Sequence, residues 1–84
     1  MPYILKTERV VFDTDIDTIV RHTNTPGKLT YVIYKLCVGY LGKNGICYNN
    51  FATVSGALVC VGHELYRRVI APYENKKIKQ NGDV

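Results

Sequence analysis

No apolar run in this 84-residue chain approaches the roughly 18 to 20 residues that a membrane-spanning helix needs. The opening Met1-Pro2-Tyr3-Ile4-Leu5-Lys6 lacks the layout of a secretory leader. Both lacks point to a soluble, cytoplasmic protein. No Cys-x-x-Cys knuckle occurs. The three cysteines, Cys37, Cys47 and Cys60, make an odd number, and two of them sit in apolar runs, where cysteine behaves as a small hydrophobe. Free thiols in a reducing compartment follow. Cys60-x-x-His63 offers residue types that zinc takes, but without a paired knuckle the expectation is no metal and no cofactor. The same pair supplies a nucleophile and a base at i, i+3. Histidines are scarce, at two, and a small convex helical domain lacks a pocket that excludes water, so no enzyme is expected. Gly39, Gly42 and Gly45 neither follow a strand nor match a phosphate-loop spacing. Internal repeats, low-complexity tracts and linkers are also missing, which leaves one helical domain over 1–84.

What is present is enough to fold. The composition, 46% hydrophobic and 21% charged, is that of a globular domain rather than a disordered one. A chain this short buries only about 60% of its unfolded surface. Its stability is therefore modest unless chains associate.

The stretch from Tyr48 to Lys79 organises the rest. Phe51, Val54, Ser55, Leu58, Gly62, Leu65 and Val69 recur at steps of three and four, which aligns them on one face of a helix. The spacing predicts a long helix over 49–71, capped by Asn49 or Asn50. Pro72 lacks an N–H and crowds the carbonyl of Arg68, so it ends the helix or kinks it into a continuation over 72–79. The competing reading makes Leu58 to Val61 a buried strand, because valine-rich runs bounded by glycine also suit one.

Upstream, Asp13 serves as a cap for a first helix over 14–23, with Ile16, Ile19 and Val20 as its narrow apolar stripe and Asp17 paired to Arg21. Thr25-Pro26 starts a second helix, threonine at the cap and proline at the first helical position. It runs over 26–41, with Gly42 as its stop. Leu29, Val32, Ile33, Leu36 and Tyr40 form one face. Lys43-Asn44-Gly45-Ile46 is a turn in which Asn-Gly supplies a positive φ. The expected fold is therefore all-α, a small bundle of three main helices with a long, Pro-kinked third helix.

Two features point to partners. Helices 2 and 3 carry more apolar surface than a three-helix monomer covers, which predicts homo-oligomerisation. Tyr31, Tyr34, Val38, Gly56, Val59 and Cys60 are its candidate interface. The charge, +4 overall, is also uneven: Arg67, Arg68, Lys76, Lys77 and Lys79 gather near one end. Arginine presents a planar fork to phosphate or carboxylate, and tyrosine adds a stacking face. Tyr66, Arg67, Arg68, Tyr73, Glu74, Lys77 and Asn81 are accordingly candidate contacts to an anionic partner, whether an acidic protein, a nucleotide or a nucleic acid. The bland alternative makes Glu64 and Arg68 an i, i+4 pair and packs Tyr66 and Tyr73 at the edge of the core.

The ending Leu65-Tyr66-Arg67-Arg68-Val69-Ile70-Ala71-Pro72-Tyr73-Glu74, with Lys77 and Asn81-Gly82-Asp83-Val84, resembles that of a family of short uncharacterised proteins of bacteria and their viruses. Met1-Pro2-Tyr3-Ile4 and Thr25-Pro26-Gly27 through Tyr31-Val32-Ile33 are similar too. The resemblance implies a compact intracellular helical protein encoded by a bacteriophage and carries no established activity. Lys28 departs from the acidic residue that the resemblance implies there.

Overall fold

A computed structural model describes residues 3–84. They fold as helices α1 (Lys6–His22), α2 (Pro26–Asn44), α3 (Tyr48–Leu65) and α4 (Ala71–Asn81), with a π-helical turn, Tyr66–Ile70, joining α3 directly to α4. The all-α expectation holds: α3, the π turn and α4 make the long third helix of three. No strand occurs among the described residues, so the valine-rich segment Leu58 to Val61 is helical.

The chain divides into two compact units, meeting at Asn44 and Gly45. In the first, α1 begins at Lys6 and not beside Asp13. Once a helix is nucleated, each added residue costs little, and Glu8 in the first turn suits the positive end. Asp13 consequently lies inside the helix. Arg21 donates from Nη2 to Thr18 Oγ1 at 3.2 Å, and no ion pair to the expected partner Asp17 occurs among the described residues.

Thr25 caps α2 as its sequence predicts, accepting from the backbone N–H of Lys28 at 3.2 Å, the third helical position. The helix passes through Gly42 and stops at Asn44. Gly42 is not the stop because a helix ends where the chain turns left-handed, and that happens at Gly45, with φ 114°. The expected positive φ of the Asn-Gly pair is thus present.

The second unit is the long helix. α3 starts at Tyr48, with Cys47 at the cap position and no side-chain cap. Asn50 does not cap it; its Nδ2 reaches back to the Gly45 carbonyl at 2.9 Å and ties the turn to the first helical turn. At the far end, the Ala71 N–H bonds to the carbonyl of Tyr66, five residues back. That wider turn has a local cause. Pro72 offers no N–H, and its ring would strike the Arg68 carbonyl in an α-helix; adding one residue to the turn relieves the clash and lets the helix continue. The kink therefore does not end the helix, which runs to Asn81, where Gly82 (φ 84°) closes it by donating to the Ile78 carbonyl at 2.8 Å.

Neither unit has a buried core: no described residue is buried. In the second unit, Phe51, Leu58, Val61, Leu65 and Val69 form a stripe that nothing in their own unit buries.

Candidate functional site

The residues singled out by sequence lie on two adjacent pieces of the second unit. Tyr66, Arg67 and Arg68 belong to the π turn, and Tyr73, Glu74, Lys77 and Asn81 to α4. Steps of three and four place the α4 residues on one helix face.

The structure splits them into two groups. Around the π turn, Arg67 donates from Nη2 to Glu64 Oε1 at 2.6 Å, and Arg68 Nε pairs with the same oxygen. The Glu64–Arg68 spacing foretold one half of this pairing. Glu64 itself was not among the candidate contacts, although its position three and four residues before two arginines is a readable signal. Its carboxylate satisfies part of both guanidiniums and offsets part of their charge. The two arginine side chains nonetheless remain 65% and 58% exposed, so they keep donors turned to solvent.

On α4, the Lys77 ammonium lies over the Tyr73 ring, 5.6 Å from its centroid, within cation–π range. Tyr73 is 61% exposed, so the ring and the cation present one amphipathic edge to solvent. Lys76 and Lys79 are also exposed, and no ion pair holds either among the described residues. Glu74 supplies an acid in the first turn of α4, where the helix dipole favours it. The net result is a cationic, tyrosine-bearing α4 beside a partly neutralised arginine pair.

The candidate interface residues are all accessible. Tyr31, Tyr34 and Val38 are exposed on α2, and Gly56, Val59 and Cys60 on α3. A Cβ added at Gly56 would meet nothing within 4 Å, so an approaching helix has room there. The three cysteines are free. His63 and Cys60 are both exposed, with no hydrogen bond between them among the described residues. No group of residues suited to hold a metal ion occurs among those described.

In the first unit, the end of α1 and the start of α2 enclose an open notch of about 420 Å³, walled by Ile19, His22, Thr23, Gly27, Tyr31 and Val32. Thr18 and Lys28 line it as well, so apolar and polar side chains share its walls. None of the candidate anion contacts lines it. No described helix is long and apolar enough to cross a membrane.

Comparison with curated proteins and with solved structures finds no match. A family model does match, and over the whole sequence. The chain belongs to the family described as a domain of unknown function, DUF6899, whose model covers residues 1–84.

Proposed function

We propose that this protein is a small, non-enzymatic, oligomeric binding protein of the cytoplasm, encoded by a bacteriophage, that engages an anionic partner through its basic, tyrosine-bearing C-terminal tract. The observation that carries the binding role is the exposed Lys77–Tyr73 pair on α4, flanked by the exposed Lys76 and Lys79. A cation fixed over an aromatic face combines charge attraction with a stacking surface, a combination suited to a nucleotide, a nucleic acid or an acidic protein segment. Arg67 and Arg68 extend the charge toward α3 with the donors that Glu64 leaves to solvent. No described residue is buried within either unit, which supports self-association, since apolar surface is costly to leave in water.

Binding of a fluorescent single-stranded oligonucleotide, measured by anisotropy from low to physiological salt and competed with a nucleoside triphosphate or polyglutamate, tests the reading. Affinity should fall steeply with salt. Binding that ignores salt, or none to any of the three probes, counts against it.

A second reading gives the protein only an assembly role, with the basic tract serving solubility. The sharing of Glu64 between Arg67 and Arg68 favours it, because it spends arginine donors within the chain. Alanine at Arg67 and Lys77 with biological activity intact would select this reading.

A further inference from the structure

The hydrogen bonding where α3 meets α4 fixes which residues share a side of the long helix. The Ala71 N–H bonds five residues back, to Tyr66, whereas beyond the joint the Gly82 N–H bonds four back, to Ile78. The wide turn therefore holds one residue more than an α turn. Every α4 residue is set back by one position, about 100° around the axis.

That rotation reorganises the basic tract. Counted from Arg68, an uninterrupted α-helix would place Tyr73 about 140° away, Lys76 about 80° and Gln80 about 120°. With the extra residue, the three stand only about 40°, about 20° and about 20° from it. Arg68, Tyr73, Lys76 and Gln80 thus fall on one line, which depends only on the backbone of the second unit. Glu74, the one acid of α4, is about 140° from Arg68, off the line.

We infer that this line is the track of a single-stranded nucleic acid, with phosphates on Arg68 and Lys76 and a base on Tyr73 between them. The inference rests on the anion-binding reading above and names its partner class and the residues that share the strand.

The order along the axis selects this partner. Arg68 and Lys76 are about 10 Å apart along the helix, and Tyr73 stands between them, so cation, ring and cation alternate. Backbone-tracking cations interleaved with an aromatic platform are what a single strand requires. An acidic peptide segment would engage the cations alone.

The ring is also held for the purpose. Lys77 Nζ lies over one face of Tyr73, 5.6 Å from the centroid, which restrains the ring and leaves the opposite face to a base. At the other end, Glu64 pairs with Arg67 and Arg68. Its negative charge repels phosphate, so the track runs from Arg68 along α4 and not back along α3.

Anisotropy of a fluorescein-labelled oligodeoxythymidylate, at several salt concentrations, tests the line. Lys76→Gln should lower the salt slope by about 1. Lys79→Gln removes the same charge about 80° from Arg68 on the side away from Tyr73, and should leave the slope unchanged. Equal losses, or a larger loss at Lys79, overturn the line.

A second pair of chains varies the rotation at constant charge. Pro72→Ala with Ile70 deleted removes both the proline and the extra residue, so it keeps α4 in place on a plain α-helix and should bind within about twofold of the unsubstituted chain. Two alanines inserted after Ala71 in that chain turn α4 by about 200° and should weaken binding about tenfold. Equal binding by the two chains overturns the line and leaves the anion-binding reading standing. Polyglutamate or duplex DNA bound more tightly than the single strand overturns the assigned partner. An unsubstituted chain that binds none of these probes overturns both readings.

Discussion

Glu64 Oε1 accepts from Arg67 Nη2 at 2.6 Å, and the same oxygen pairs with Arg68. One carboxylate thus moderates two of the five cations near the C-terminal end of the chain. Glu64→Gln removes that negative charge while keeping the shape. It should tighten binding of a phosphate-bearing probe and steepen the salt dependence of log affinity, by about 1 for each guanidinium newly in contact with phosphate. Anisotropy titrations at several salt concentrations measure both effects.

Lys77→Ala should act in the opposite direction. It deletes the cation held over Tyr73, so the salt slope should fall by about 1 and affinity should weaken across all sequences of an oligonucleotide probe alike. Tyr73→Leu keeps every cation and should weaken binding with little change of slope, because it removes a stacking face and no charge. The contrast between the two variants separates the aromatic from the ionic contribution.

Gly45→Ala should destabilise the fold, by about 1 to 2 kcal/mol. The cost is in the backbone: φ is 114° there, and the nearest atom to an added Cβ, Asn50 Nδ2, sits at an ordinary 3.7 Å. Thr25→Ala should cost about 1 kcal/mol through loss of the cap to the Lys28 N–H. Chemical denaturation followed by circular dichroism reads both.

Gly56→Ala distinguishes the helix from its surroundings. In the chain by itself an added methyl meets nothing within 4 Å, so it should raise helix stability by roughly 0.5 to 1 kcal/mol. If α3 used this side for close approach to another helix, the same change would weaken association. The oligomeric reading, which places Gly56 in the interface, predicts the gain together with the loss. Sedimentation beside thermal melting separates the two.

Pro72→Ala should return the π turn to α-helix. It restores a donor and removes the ring that the Arg68 carbonyl must avoid, so helix content should be kept or raised, and amide exchange near Ala71 should slow. An unchanged exchange pattern would show that Pro72 does not set the wide turn.

The class of the fold was legible because helical periodicity is a strong signal over long stretches, and the Thr25-Pro26 start and the Asn44-Gly45 turn carry their chemistry in single residues. Helix ends were less so. Asp13 looks like a cap because of its side chain, yet nothing upstream breaks the helix, and propagation through Lys6 to Phe12 costs less than a new start at Thr14. Gly42 looks like a stop, but a glycine without a left-handed φ is simply a helical residue. The effect of Pro72 depended on whether a neighbouring turn could widen, which no local residue preference states. In the candidate site, the i, i+4 spacing exposed the Glu64–Arg68 pair, while the sharing of one oxygen with Arg67 needed the side-chain geometry. The same periodicity that marked α3 as a helix also marked its apolar stripe; what it could not show was that the stripe would remain uncovered within its own unit.

The proposed oligomer is tested by sedimentation equilibrium of the unsubstituted protein, from low to high micromolar concentration. Self-association predicts a species of at least twice the 9.5 kDa chain mass, dissociating on dilution. A single 9.5 kDa species throughout would contradict it.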